Sequence, residues 1–270
     1  MIQSNHEFMK NFDITFKWIG AATWVLIVDD LKIACDPVLC KKGTLQDHRY
    51  FKAKRRTDPK FDTEDFKDID FWLLTHAHED HIDAHGVTKI EPSSKVYANL
   101  NLKKWLKLIY ANNVDYLKWG MKKNFSKKKI NVTIEAIPCV HASNFVAAKL
   151  AGSVNGYWLT LEKELSNIQI YITGDTINHK KVRAYLKGRK ADILIPNVGG
   201  GGLDKFGGPY TFTANQVMDL TKIIKPEIIL PVHHKTFSIY KEPIEKLYEW
   251  NDDRILKFDE GTTLKVDKYL

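Results

Sequence analysis

Ile69-Asp70-Phe71-Trp72-Leu73-Leu74-Thr75-His76-Ala77-His78-Glu79-Asp80-His81 runs from an apolar, strand-like segment straight into three histidines and an aspartate. Three imidazoles packed this closely add little apolar burial, and each needs a hydrogen-bond partner. A transition-metal ion, by contrast, is satisfied by this mixture of neutral nitrogen and anionic oxygen. Residues two apart on an extended segment point the same way, so His76 and His78 can converge on one ion. If the chain then turns into a helix, Asp80 and His81 fall on another side of the turn and can serve a second ion. In two-metal hydrolases the ions lie roughly 3.5 to 4 Å apart.

Outward from this cluster, polar residues recur wherever an apolar strand stops. Ile14 to Ile19 alternates and breaks at Gly20. Thr23 to Val28 follows, Asp29-Asp30 supplies turn chemistry, and Leu31 to Cys35 ends at Asp36-Pro37. Residues 40–68 are lysine-rich and read as an irregular surface loop or flap. Lys95 to Ala98 predicts a short strand, and Leu102, Trp105, Leu106 and Ile109 lie at helical spacing within Leu100 to Ala111. Ile130 to Ile137 is a strand running on through Pro138-Cys139-Val140 to His141. Gly156 to Leu161 and Ile168 to Thr173 form a pair closed by Gly174-Asp175-Thr176. Val182 to Lys187 predicts a short helix, Asp192 to Pro196 a strand, and Thr213 to Ile224 a helix capped by Thr213. Glu227 to Val232 delivers His233 and His234, and Arg254 to Phe258 and Thr262 to Val266 read as the last strands. Strand ends along one edge of a sheet can converge, so Asp36, the His76 cluster, His141, Asp175 and His233 or His234 can share one cleft of a layered α/β domain. Neighbours on a strand face opposite ways, which leaves both late histidines open as the ligand.

At 270 residues with 44% hydrophobic content the chain can bury a substantial core, and residues 1–270 are expected to form one domain. No apolar run approaches the ~18 residues of a membrane span. Three cysteines (Cys35, Cys40 and Cys139) suggest no disulfide framework. Met1 to Phe12 is polar and does not read as a secretory leader, so a reducing cytoplasm is expected. Cys139 shares a strand face with His141 but reads as a small buried apolar residue. Lys and Arg exceed Asp and Glu by 41 to 33, a net charge of +8. Much of it lies in Lys52, Lys54, Arg55 and Arg56 and in the lysines at 103, 104, 107, 118, 122, 123, 127, 128 and 129. A solvated helix face is the default for such runs, with phosphate or nucleic-acid contact as the alternative. His6, His48 and His179 read as surface residues.

With these residues assembled, the chain resembles the metallo-β-lactamase superfamily of hydrolases, whose motif is His-x-His-x-Asp-His, then a lone His, a Gly-Asp and a late His, each after a strand. The order matches over the whole length. The resemblance implies a four-layer αββα sandwich with the metal site at the edge of the two sheets. It implies that His76, His78 and His141 hold a first ion and that Asp80, His81 and His233 hold a second. Asp175 would bridge both, and Asp36 would orient a ligand. Trp18-Ile19-Gly20-Ala21-Ala22-Thr23-Trp24, Asp36-Pro37, Asp80-His81-Ile82-Asp83 and Pro231-Val232-His233-His234-Lys235-Thr236-Phe237 look like the branch that includes L-ascorbate-6-phosphate lactonases and N-acylphosphatidylethanolamine phospholipase D-like hydrolases. His233 is favoured as the ligand because the family places it directly after Pro-x. His234, at a position often aromatic in relatives, would face the substrate. Asp83 and His85 would stand behind the cluster or cap a helix.

What the resemblance implies is a metal-dependent hydrolase with two divalent ions, zinc first and manganese or iron as alternatives. The ions would share a water acidified toward neutral pH, with Asp80 or Asp175 guiding the proton. The bond would be an ester, lactone, amide or phosphodiester of a small, anionic substrate. A ribonuclease sharing the motif, with the lysines tracking phosphates, is the first alternative. A non-catalytic metal-binding module is the second, and redox chemistry of the diiron flavoprotein kind fits less well because His78 stands where those proteins carry Glu.

Overall fold

Alternating apolar positions build the first sheet. In the computed structural model, which describes residues 11–47, 52–142, 152–201 and 208–270, Ile14–Gly20 (β1), Thr23–Val28 (β2) and Leu31–Cys35 (β3) form the expected antiparallel meander. After a two-stranded ribbon, Leu45–Asp47 (β4) and Lys52–Lys54 (β5), the chain returns as Phe71–Leu74 (β6), parallel to β3. Lys95–Ala98 (β7) and Val114–Tyr116 (β8) extend that sheet in parallel. The second sheet comprises Lys122–Lys127 (β9), Ile130–Pro138 (β10), Asn155–Lys163 (β11), Ser166–Ile172 (β12), Ile193–Ile195 (β13) and Ile228–Ile229 (β14). Thr263–Lys265 (β15) closes the first sheet beside β1, giving the order β15-β1-β2-β3-β6-β7-β8 against β14-β13-β12-β11-β10-β9.

Period-two patterning divides the layers. Phe16, Leu26, Ile33, Phe71 and Leu73 from one sheet meet Ile134, Leu159, Ile170 and Ile195 from the other in a shared core. Their sequence neighbours face outward. Trp72, Leu74 and Val96 pack under Ala84–Val87 (α1) and Lys103–Leu108 (α2), while Trp158, Tyr171 and Leu194 pack under Lys180–Leu186 (α3), Ala214–Ile224 (α4) and Glu245–Tyr248 (α5). The result is the expected αββα sandwich, with helices outside both sheets. Thr213 caps α4, its side chain accepting from the Gln216 amide.

Several expectations need correcting. Residues 40–68 contain the β4–β5 ribbon and a 3₁₀ turn at Thr63–Phe66, although 48–51, His48 included, lie outside the described residues. The helix expected from Leu100 to Ala111 is a 3₁₀ turn, Leu100–Leu102, followed by the shorter α2. Arg254 to Phe258 is not a strand: only Ile255 makes a bridge, to Ile229, and Arg254 folds back onto Asp252 through its guanidinium. The lysines at 122, 123 and 127 belong to an edge strand rather than a helix, where their charges keep the edge from pairing with another chain. These cations are locally neutralised. Lys123 pairs with Asp115 at 3.0 Å, Lys127 with Asp70 at 2.7 Å, Lys128 with Asp30 at 2.5 Å and Lys129 with Glu164 at 3.1 Å.

One buried ion pair pins a helix layer to its sheet. Glu135 of β10 accepts from both terminal nitrogens of Arg189 at 2.9 Å and from the Tyr185 hydroxyl at 2.5 Å. Burial works against its charge, yet Arg189 and Tyr185 hold its carboxyl below the ordinary 4.5. Arg189→Met is expected to lower the free energy of unfolding by about 2 kcal/mol at pH 7, the arginine being partly exposed. A depressed carboxyl stabilises the fold above its unfolded value, and that stabilisation is lost as pH falls through the folded value. Urea melts of the two proteins should therefore differ at pH 7 and converge as the pH is taken down past the ordinary carboxylate range; a constant gap would show that packing, not charge, carries the effect.

Candidate metal centre

β6 is buried along its whole length, and at Leu74 the chain leaves the sheet still extended, so His76 and His78 point to one side. His76 Nε2 lies 2.9 Å from His78 Nδ1, and His141 Nε2 lies 3.1 Å from the same atom. His141 arrives from the far sheet, past the end of β10, and its Nδ1 donates to the Tyr210 carbonyl at 2.8 Å. His76 Nδ1 is 3.0 Å from Thr75 Oγ1. These outer partners turn the Nε2 lone pairs of His76 and His141 inward. Burial, then the neighbouring rings, pushes His76 well below the ordinary imidazole range and His78 down to about 3; burial also lowers His141 against the pull of Asp175. The three rings are neutral at pH 7 and present lone pairs to one another.

The second group follows within the same loop. His81 and Ile82 amides both donate to the His78 carbonyl at 3.0 Å, so residues 79 to 81 form a turn and the helix begins only at α1. This turn carries Asp80 and His81 past the first group to meet Asp175 and His233. His81 Nε2 lies 3.1 Å from Asp175 Oδ1 and 3.1 Å from His233 Nε2, and His233 Nε2 lies 3.4 Å from Asp80 Oδ2. Asp175 follows β12 through Gly174, whose φ of +57 and close approach to the Asn155 carbonyl, 2.7 Å from where a Cβ would stand, both require glycine. His233 itself has φ +65, a strained conformation of the kind found at functional sites.

Outer partners again set each donor. Asp36, at φ +39, accepts from the Thr75 amide at 2.7 Å, from the Thr75 hydroxyl and from His81 Nδ1 at 2.7 Å, leaving His81 Nε2 to face the cleft. Asn197 Nδ2 donates to Asp175 Oδ1 at 2.8 Å, and the Tyr240 hydroxyl donates to Asp80 Oδ2 at 3.2 Å. Burial opposes charge on His81, but Asp175 and Asp36 outweigh it and raise the ring well above its ordinary value. Asp175 is held well below the carboxylate range by His233 and His81, again against burial. The field at the second group favours a cation.

His76, His78 and His141 thus form one donor group, and Asp80, His81, Asp175 and His233 another, each gathered within 4.8 Å. Asp175 Oδ2 also comes within 3.9 Å of His76 Nε2 and 3.8 Å of His141 Nε2, so this carboxylate lies between the two. One proton on His78 Nδ1 cannot serve two facing nitrogens, whereas a divalent ion accepts all three lone pairs. Nitrogen and carboxylate donors without thiolate suit zinc, manganese or iron. Cys139 is buried, with its sulfur on the Thr173 carbonyl at 3.2 Å, consistent with the bland reading of that residue.

Two weaker candidates lie elsewhere. Asp83 caps α1, accepting from Gly86 N, while its other oxygen accepts from Cys40 N, both at 2.6 Å. It ties loops together behind the turn. His234 is buried with its ring 4.4 Å from that of Trp18. Burial, then Lys235, drives it down to about 3. Tyr240, Asn197, Thr75 and the Tyr210 carbonyl were not singled out in the sequence; none carries a spacing signal, and only Thr75, beside His76, was within reach. The loop from Gly199 to Phe212 is described only in part, since residues 202–207 lie outside the described set.

Residues 15–233 match the family model described as the beta-lactamase superfamily domain. The chain is similar to the N-acyl-phosphatidylethanolamine-hydrolyzing phospholipase D 1 of Caenorhabditis elegans, 26% identical over 265 residues that cover 92% of this chain and 72% of that protein. It is also similar to a UPF0173 metal-dependent hydrolase of Pyrococcus horikoshii, 29% identical over 178 residues covering 64% of this chain and 70% of the other. Among solved structures, isothiocyanate hydrolase from Delia radicum gut bacteria superposes with a TM-score of 0.77 at 23% identity, covering 93% of this chain and 98% of that one.

Proposed function

Because this chain belongs to the metallo-β-lactamase superfamily and is a metal-dependent hydrolase, we propose that it uses two divalent ions, zinc first, to cleave a phosphodiester or ester bond, lactones included, in a small anionic substrate. The observation that carries this reading is the pair of adjoining donor groups, three neutral imidazoles beside a mixed carboxylate and imidazole set. The phosphodiester is placed first because the Caenorhabditis elegans relative is named for hydrolysing one class of phospholipid.

His76, His78 and His141 would hold one ion, Asp80, His81 and His233 the other, with Asp175 between them. What the ions supply when bound is Lewis acidity, polarising the carbonyl or phosphoryl oxygen and acidifying water toward neutral pH. The protein's own part is to fix protons. Asp36 keeps one on His81 Nδ1, and the Tyr210 carbonyl keeps one on His141 Nδ1, so neither ring can rotate or move that proton to its inner nitrogen without losing a buried bond. Tyr240 occupies one lone pair of Asp80 Oδ2 and Asn197 one of Asp175 Oδ1. The remaining carboxylate lone pairs face the cleft, where Asp80 or Asp175 can receive a proton from the attacking water. A nucleic-acid substrate gains no support from Lys123, Lys127, Lys128 and Lys129, whose cations are paired within the fold.

Metal analysis of the purified protein is expected to give about two ions per chain. Treatment with a chelator should abolish turnover of a bis-aryl phosphodiester and of a lactone, and zinc or manganese should restore it. Turnover that survives complete removal of metal would overturn the reading.

A further inference from the structure

Arg55 is, among the described residues, the only lysine or arginine that is buried, and its side chain has no exposed surface. No carboxylate of the described residues lies within ion-pair reach of it, and its Nη2 has no hydrogen-bond partner. The Glu260 carboxylate stands across Gly20 from Nη2, 3.2 Å from where a Gly20 Cβ would be, without forming a direct ion pair; burying a cation with no direct ion pair is costly, and nothing in the sandwich core needs it, since it stands at the end of the ribbon strand β5. Its neighbours give it a use. Nη1 donates to the Val38 carbonyl at 2.8 Å, in the loop that begins at Asp36, and lies 3.8 Å from Cys40 Sγ; Nε donates to the Thr57 carbonyl at 2.9 Å. The guanidinium carbon lies over the Phe237 ring, 5.4 Å from its centroid, and Arg55 also makes a backbone bridge to Phe237. Phe237 packs edge-on against Tyr240, whose ring lies 4.1 Å from that of His233 and whose hydroxyl donates to Asp80.

Arg55 therefore joins the two segments that orient the second donor group. Through Val38 it holds the loop whose Asp36 fixes His81, and through Phe237 it holds the tyrosine that fixes Asp80 and backs His233. None of its contacts reaches the His76, His78 and His141 group. We propose that Arg55 is a positioning residue for the ion at Asp80, His81, Asp175 and His233, acting through Phe237 and Tyr240, and that it sets the affinity of this ion relative to its partner. A planar fork resting on an aromatic ring is what lysine cannot reproduce. The inference rests on the two-ion reading above.

The test measures the affinity of each ion separately, with stepwise cobalt titration followed by visible absorption, in wild type, Arg55→Lys, Tyr240→Phe and the double variant. Arg55→Lys is expected to weaken one of the two binding steps about tenfold and leave the other within twofold. In the Tyr240→Phe background the same change should weaken that step by less than threefold, because the path through Phe237 then no longer ends in a hydrogen bond to Asp80 and only the Val38 path to Asp36 is left. Equal weakening of both steps, unchanged affinities, or full additivity with Tyr240→Phe would overturn the proposal. Should Arg55→Lys not fold, Phe237→Leu, which removes the ring between the guanidinium and Tyr240 and keeps the charge, carries the same expectation and the same refutation. A wild-type protein that binds no cobalt would instead refute the two-ion reading itself.

Discussion

Asp175→Ala is expected to lower kcat/KM by about a thousandfold or more while leaving the sandwich folded. Asp175 is the carboxylate common to both donor groups, reaching His81 at 3.1 Å and His233 at 3.6 Å on one oxygen and the first-group nitrogens on the other. Removing it takes a donor from the second group, leaves Asn197 Nδ2 without its acceptor and withdraws the charge that compensates several buried rings. Asp80→Ala should be nearly as severe, since it also deletes a donor, but it leaves the first group intact. The expected signature is about one ion per chain in Asp80→Ala and less than one in Asp175→Ala, with far-ultraviolet circular dichroism unchanged. Full activity in either variant would remove these carboxylates from the chemistry.

Asp36→Asn carries the second large effect, although Asp36 belongs to neither donor group. Its carboxylate takes a proton-bearing nitrogen from His81 on one oxygen and the Thr75 amide on the other. An amide can still accept from Thr75, but its NH₂ then faces His81 Nδ1 and requires the other tautomer, which puts the proton on Nε2, the atom aimed at the ion. Affinity at the second group is expected to fall 10- to 100-fold, with a matching loss of activity, as for other residues that orient a metal ligand. Asp36→Glu, a carboxylate of the wrong length, should also fail because Asp36 sits at φ +39 with both oxygens engaged. Wild-type affinity in Asp36→Asn would show that His81 is oriented by packing alone.

Much of the site was legible because its donors follow strands whose apolar periodicity is strong. β1, β10 and β12 show apolar alternation and β2, β3, β6 and β11 are short, mostly apolar runs, and each of Asp36, His76, His141 and Asp175 stands just past such a run. Legibility failed where local pattern was weak or where tertiary geometry decided. β9 has only Phe125 on its inward face, packed against the core, so its lysines spoke louder than its alternation. His233 and His234 could not be separated by strand logic, because strand pairing ends at Val232 and the positive φ of His233 breaks the alternation. For Asp83 the sequence left open a place behind the cluster or a helix cap, and it caps α1: a Cβ on Gly86 would lie 1.9 Å from the Pro37 carbonyl, and Asp83 seats that turn of α1 against the loop. Arg55 read as one more surface cation among Lys52, Lys54 and Arg56, since no local signal marks a guanidinium buried by distant residues.

The contact between His81 and His233 has a consequence for how the molecule comes into being. These two nitrogens stand 3.1 Å apart across 152 positions of chain, and each belongs to a segment that needs its own sheet edge in place. During synthesis the Asp80-His81 end of the second group is made long before its partner emerges, and a chain interrupted before residue 233 offers at most part of that group. On the two-ion reading, high affinity for the second ion would therefore be a late property of the polypeptide, acquired only when both sheets have closed on each other. An ion held there would report that synthesis has passed His233.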